Sequence, residues 1–265
     1  MRADMLKLSR CPYNVSAKAD GVRMFLLFSF TDTADYSVFI DRAGTITPLT
    51  IVMPLDVHSG TLLDGEYITH PDGTHTYLVF DCIAANGYCM VHKSHSERVT
   101  EVVRTVVSVI SLQGGLTLKA KRWFPLASAN LNDVLASVEA PTDGLIFVPE
   151  HGNSLHPGQQ TDHFKWKVAC DHTIDMIWRG SELWVHKFGA PEKASLCLGV
   201  TEVLPGGVVA PEGCVVECRM TPRDSTTWVA RFVRIRDDKT TPNDLRVAKL
   251  TLQNIFENIT LDELQ

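Results

Sequence analysis

Lys18-Ala19-Asp20-Gly21-Val22-Arg23 is the stretch on which the reading of this chain turns. It sets a lysine in a tight, glycine-containing segment between two apolar runs, Tyr13 to Ala17 and Arg23 to Phe30. A protonated lysine is a poor nucleophile; burial or neighbouring cations shift such an amine toward the neutral form that attacks an electrophile. The chemistry is therefore placed at Lys18, and the other motifs are read as its helpers.

The chain has 265 residues, enough for one larger domain plus a small one, and its 45% apolar and 21% charged residues are the balance of a globular protein. A net charge of -6 argues against a broad basic surface for nucleic acid, although it leaves room for a local basic cleft. The 7 cysteines lack the paired spacings of a disulfide framework or zinc ribbon, which points to an intracellular, reducing setting. Cys89, His92 and His95 lie close together, but no fourth ligand is near and Gly87-Tyr88 suggests a loop. No apolar run has the length of a membrane span or the form of a signal peptide, so no membrane partner is expected.

Working outward from Lys18, the β-branched and aromatic runs Tyr13–Ala17, Arg23–Phe30 and Tyr36–Ile40 read as strands, with Lys18 in the turn after the first and a hairpin at Asp41-Arg42-Ala43-Gly44. Leu62-Leu63-Asp64-Gly65-Glu66-Tyr67-Ile68 and Thr76 to Ile83 each embed acids in an apolar strand, where a carboxylate needs a partner or a metal. Glu66 is the better metal candidate; Asp81 reads equally as a structural acid capping a nearby loop. Valines from Val99 to Val107 and Ile110 recur at helical spacing behind a Ser94/Glu97 capping box, giving a helix over 94–113 ended by Gly114-Gly115. A shorter helix is expected over Leu131 to Val138.

Thr142-Asp143-Gly144-Leu145-Ile146 again sets an acid and a glycine at a strand mouth. In Phe164-Lys165-Trp166-Lys167 a strand would send both amines to one face, fit either for an anion between them or for an exposed edge protected by lysines. Short strands follow at Ile174–Trp178, Leu183–Phe188, Ser195–Val200, Cys214–Met220 and Trp228–Ile235, separated by loops such as Leu204-Pro205-Gly206-Gly207. This spacing suggests a small barrel, with the oligonucleotide-binding (OB) fold as the five-strand candidate. A terminal helix started by Asn243 lines up Leu245, Ala248, Leu252, Ile255 and Ile259.

In this order, Lys-x-Asp-Gly, Asp-Gly-Glu, the Phe80 strand, Asp-Gly-Leu-Ile, Lys-x-Lys and Arg-x-Asp-Lys resemble the motif set of the covalent nucleotidyltransferases, which include messenger RNA capping guanylyltransferases and ATP-dependent polynucleotide ligases. The resemblance spans nearly the whole chain and is nearest to the capping enzymes at Tyr13 to Arg23, Asp41-Arg42, His156-Pro157-Gly158 and Arg236 to Asn243. It implies an α+β fold: an ATP-grasp-like nucleotidyltransferase domain of antiparallel sheets and helices over 1–168, and a C-terminal OB-fold β-barrel domain over 169–243. The helix at 244–265 is open to packing back on the first domain.

The same resemblance implies that Lys18 attacks the α-phosphate of GTP to form a lysine-GMP phosphoramidate, which then passes GMP to RNA with a 5′-diphosphate end. Lys165 and Lys167 would hold the α-phosphate and favour the neutral amine of Lys18. Arg23 and Arg42 would contact sugar and phosphates, Glu66 the ribose side and a metal, and Asp143 the same Mg2+ or Mn2+. Phe80 and Ile146 would sandwich the base, leaving guanine-versus-adenine discrimination to polar groups not identified from sequence. Arg236, Asp238 and Lys239 would reach the β- and γ-phosphates when the small domain closes.

Only a short segment precedes Lys18, so RNA triphosphatase and cap methyltransferase are expected as separate proteins or other parts of a longer chain, with RNA polymerase as a further partner. The setting is nuclear if the source is a eukaryotic cell, otherwise viral or cytoplasmic; no basic localisation cluster is evident. The alternatives are an ATP-dependent RNA or DNA ligase and a catalytically silent nucleotide- or polymerase-binding module.

Overall fold

The computed structural model describes residues 2–54, 56–107, 111–112, 115–137, 141–151, 162–204 and 210–265. Two compact units divide it: Lys7–Trp166 forms one, and Lys167–Leu264 with the N-terminal residues through Leu6 forms the other. His156-Pro157-Gly158 and Pro205-Gly206-Gly207 lie outside the described residues.

The first unit is built on two sheets of mainly antiparallel strands. A four-stranded sheet runs Phe124–Pro125, Tyr13–Ala19, Thr142–Pro149, Phe164–Trp166; a seven-stranded one has the path Leu116–Ala120, His75–Ala85, Thr61–Thr69, Val22–Phe30, Asp35–Ile40, Ile46–Leu49, with Tyr88–Cys89 paired to His75–Ala85. Alternation places Leu26, Phe28, Leu63, Tyr77 and Val79 in one apolar core, into which the His95–Val107 helix sends Val102. The Asp41 turn forms as expected: its carboxylate accepts the Ala43 and Thr45 N–H groups, and Gly44 takes φ 84°.

Lys18 is not in a turn. The first strand continues through Ala19, which makes Lys18 part of the sheet, and only Asp20-Gly21 turns the chain. Gly21 is required there because a Cβ would stand 2.5 Å from the Tyr67 carbonyl oxygen and 2.9 Å from the Glu66 side chain.

The long helix is capped as the sequence indicates, Ser94 N–H donating to Glu97 at 2.8 Å and Glu97 N–H to Ser94 Oγ at 3.2 Å. Its described span ends at Val107, and Ser111–Leu112 pairs as a strand with Ile51–Val52, so the helix does not reach residue 113. The buried face is also more polar than the valine pattern suggested: His95, Arg98, Val102 and Thr105 point inward, while Val103 and Val107 are exposed. The reason is Asp81, whose carboxylate takes both Arg98 Nε and Nη2, at 2.7 and 3.0 Å, in a site where both residues are almost fully buried. Asp81 is thus a structural acid paired to a helix rather than a loop cap.

The second unit is a six-stranded sheet with the order Ala190–Lys193, Glu182–Lys187, Thr173–Arg179, Val215–Pro222, Trp228–Ile235, Val200–Leu204. Its hydrogen bonds follow an open path among the described residues, so the architecture is OB-like without the closed barrel expected. The Ser195–Val200 segment is not one strand; Ala194–Cys197 makes a helical turn, and Gly199 at φ 68° redirects the chain into Val200–Leu204. The terminal helix, Leu245–Glu257, is capped by Asp244 rather than Asn243 and ends at Asn258, short of Ile259. Leu245, Ala248, Leu252 and Ile255 pack with Ile174, Met176, Val216 and Phe232 in this unit's own core, which differs from a return onto the first domain.

Removing one partner of a buried ion pair strands the other charge. Arg98→Ala is therefore expected to cost about 3–5 kcal/mol, read as a fall in the urea midpoint at unchanged slope, with Asp81→Asn/Arg98→Met recovering most of the loss.

Candidate active site

The candidate groups of the first unit gather around two irregularities in its sheets. In the four-stranded sheet Ala17 pairs with Leu145 and Ala19 with Thr142, so Lys18 faces the two-residue step Asp143-Gly144. Such a bulge re-aims side chains, and Gly144 at φ 127° takes a conformation open to glycine. The result is an ion pair: Lys18 Nζ lies 2.6 Å from Asp143 Oδ1, with both side chains largely shielded. In the larger sheet Asp64 pairs with Asp81 and Gly65 with Val79, which leaves Phe80 as the extra residue of a second bulge.

Arg23 forms a fork on Asp64, Nε to Oδ1 at 2.9 Å and Nη2 to Oδ2. Because Asp64 is buried and Arg23 half-exposed, the carboxylate orients a guanidinium whose outer edge stays open. Arg23 also pairs in register with Glu66, and its guanidinium lies 5.9 Å from the centroid of Phe80. Ile146 stands opposite both Ser16 and Lys165, so those three share one face of the four-stranded sheet. Lys167 falls just past the end of the Phe164–Trp166 strand and belongs to the second unit, so the shared-face argument holds for Lys165 alone.

The electrostatics tie these residues together. Burial raises the Glu66 carboxyl above its usual range, opposed by the charges of Lys18, Lys121 and Arg42. Burial likewise lowers the Lys165 amine, and Lys18, Arg42 and Arg23 push it further down. Like charges at this density repel unless an anion is supplied.

Lys121 was missed in the sequence, where it reads as one of several cations in Lys119-Ala120-Lys121-Arg122. The structure buries it to 7% exposure, with its Nζ 5.7 Å from the Phe80 centroid and 5.4 Å from that of Trp123. Burial, with the nearby charges of Lys18 and Lys165, brings its amine down to about 8, against the pull of Glu66. Trp123 is itself held, its indole N–H donating to the Phe80 carbonyl at 3.3 Å and its ring lying nearly perpendicular to that of His95 with centroids 4.4 Å apart. His95 contacts Asn14 at 2.9 Å and burial lowers it to about 4, so it is neutral near pH 7. It thus braces an aromatic ring. Among the described residues no three His, Cys, Asp or Glu side chains gather as a metal cage.

In the second unit Arg236 and Lys239 converge on a residue the sequence did not single out, Asp175, while Asp238 pairs with Arg236. Arg236 Nη1 reaches its two oxygens at 2.9 and 3.1 Å, Lys239 Nζ reaches Oδ2 at 2.5 Å, and Arg236 forks onto Asp238 through Nε and Nη2 at 2.8 Å each. The Arg236 bond holds the Asp238 carboxyl well below its usual range. Asn243 fixes the base of the cluster, accepting the Asp175 N–H at its side chain and donating its own N–H to the Asp175 carbonyl, both at 2.8 Å.

The fold is shared with a solved structure titled as mycobacterial DNA ligase D complexed with ATP and MES, which matches 86% of this chain and 90% of its own at TM-score 0.51 and 13% identity. Residues 1–169 match the family "mRNA capping enzyme, catalytic domain" and residues 192–265 "mRNA capping enzyme, C-terminal domain". The chain belongs to the mRNA capping enzyme family. Similar relatives include the mRNA-capping enzyme of Mus musculus, 26% identical over 97% of this chain, and mRNA-capping enzyme subunit alpha of Schizosaccharomyces pombe, 23% identical over 95%. The chain spans 46% of the mouse protein's length and 73% of the yeast protein's.

Lys121 gives a pH test. The unfolded chain keeps this proton up to its ordinary value of 10.5, whereas the folded chain releases it near 8. Stability therefore rises with pH between those values, and the burial cost is full below the lower one. Lys121→Met should stabilise the protein most below pH 8, the difference in thermal midpoint shrinking as pH approaches 10.5.

Proposed function

We propose that this chain is an RNA guanylyltransferase. The observation that carries the proposal is Lys18 at a bulge, paired with Asp143 and set among Lys165, Lys121, Arg23 and Arg42. An amine so placed can act as a nucleophile only after losing its proton; Asp143 at 2.6 Å orients the charged amine, and the cations around it favour the neutral form. Lys18 Nζ then forms a bond to the α-phosphorus of GTP while the α–β anhydride bond breaks and pyrophosphate leaves with the electron pair. In the second step an oxygen of the RNA 5′-diphosphate forms the new anhydride, the phosphorus–nitrogen bond breaks, and the lysine recovers a proton.

Lys165 and Arg42 supply positive charge for the phosphates, and Arg23, pre-set by Asp64, offers its free edge to the sugar or phosphate. Lys167 and the Arg236–Asp238–Lys239 set are assigned to the α-phosphate and to the leaving phosphates, respectively. Glu66 and Asp143 are the residues that would hold a divalent ion, since magnesium is commonly held by one or two carboxylates plus substrate phosphates rather than by an all-protein cage. When bound, Mg2+ or Mn2+ would neutralise charge on the triphosphate.

Phe80 and Ile146 form the apolar walls for the base. Lys121, next to Phe80, is a donor-only group at pH 7 and so favours a purine edge that presents a carbonyl acceptor, as guanine does, over the amino donor of adenine. RNA triphosphatase, cap methyltransferase and polymerase contacts are assigned to other polypeptides or other segments, in a nuclear or viral setting.

Incubation with α-labelled GTP and α-labelled ATP separately tests the reading. GTP should label the protein, and a 5′-diphosphate RNA should then carry the label away as a cap; labelling by ATP alone would replace it with a ligase. Lys121→Met should cut the GTP-over-ATP preference by about tenfold or more, the scale of one lost polar contact to a base of roughly 1–3 kcal/mol. An unchanged ratio would remove Lys121 from base selection.

A further inference from the structure

The sheet of the second unit has one face on its core and one outward. Ile174, Met176, Val216, Cys218, Met220, Ala230 and Phe232 face inward against the terminal helix. Thr173, Arg219 and Arg231 line up across three adjacent strands on the other face, Thr173 opposite Arg219 and Arg219 opposite Arg231. Both arginines are exposed, and among the described residues neither has an ion-pair partner.

Two guanidinium groups directly opposite on an antiparallel pair repel, an arrangement that costs stability unless an anion relieves it. The next row along the same face, Asp175–Glu217–Arg234, balances its charges by contrast: Arg234 Nε bonds Glu217 at 2.6 Å and Arg236 bonds Asp175. A bulge between Glu217 and Cys218 inserts an extra residue on the partner strand, which lets Arg231 and Arg234 both face outward. The unneutralised pair therefore continues directly from the Arg236 cluster, on a chain whose overall charge is -6.

We propose that Arg219 and Arg231 form a docking surface for the phosphodiester backbone of single-stranded RNA, gripping the acceptor downstream of its 5′ end. The inference rests on the guanylyltransferase reading for the identity of the acceptor, and on the cross-strand arginine pair for the surface. Charge complementarity selects a polyanion, and the forked guanidinium suits phosphate oxygens. An exposed OB-like sheet face is a surface on which single strands are bound.

The test compares the full chain with Arg219→Gln/Arg231→Gln, which keeps side-chain reach and removes charge. Affinity for a fluorescent single-stranded RNA is measured across a salt series, together with GMP transfer to a 5′-diphosphate dinucleotide and to a longer 5′-diphosphate RNA. Loss of two phosphate contacts should reduce the slope of log affinity against log salt by about 1.4. Transfer to the longer RNA should show a raised KM, transfer to the dinucleotide none, and labelling by GTP should proceed at the normal rate. The thermal midpoint should not fall, since repulsion is relieved. An unchanged salt slope and KM on the longer RNA would overturn the proposal. A wild-type chain that takes no label from GTP would sink the guanylyltransferase reading alone, because the RNA salt slopes still read the surface.

Discussion

The ion pair between Lys18 and Asp143 is the contact on which the rest of the first unit depends. It exists because two strands fall out of step by one residue: without the bulge, Lys18 would stand opposite Gly144, which has no side chain to meet it. Gly144 at φ 127° permits the step, and Gly21 permits the next turn to press against Glu66 and Tyr67. The two Asp-Gly and Lys-x-Asp-Gly motifs are thus two halves of one backbone device. Phe80 stands at a second bulge, opposite the Asp64-Gly65 step. Regular strands supply the scaffold, and their faults aim the chemistry.

Around that pair, cations outnumber carboxylates. Lys18, Lys121, Lys165, Arg23 and Arg42 feel one another and share Glu66, Asp64 and Asp143. Holding them together without an anion costs free energy, which the buried network behind them offsets: Asp64 fixes Arg23, Asp81 and Arg98 neutralise each other, and His95 braces Trp123. Held in place in this way, the cations need less reorganisation when an anion arrives. The second unit solves the same problem differently, by parking Arg236 and Lys239 on Asp175.

Much of this was legible in the sequence. Strand alternation, the Asp41 turn, the Ser94 capping box and the ordered motifs depend on local chemistry, which residue order carries directly. What was not legible depends on register and burial. Nothing local tells that Lys18 sits inside a strand, that Arg98 turns inward to meet an acid 17 residues earlier, or that Lys121 rather than Lys119 is buried. The valine stripe misled about the long helix because the inward face is set by what Asp81 and Trp123 require. Asp175 stayed hidden for the same reason: an acid in a short apolar strand shows its purpose only when Arg236 and Lys239 are folded onto it.

The central claim is that Lys18 is the covalent nucleophile. It is tested most directly by trapping the protein after reaction with labelled GTP, digesting it under alkaline conditions and locating the nucleotide by mass spectrometry. The account predicts a single GMP, bound through an acid-labile phosphoramidate, on the peptide that contains Lys18. A nucleotide found on Lys121, Lys165 or any other residue, with Lys18 unmodified, would contradict it.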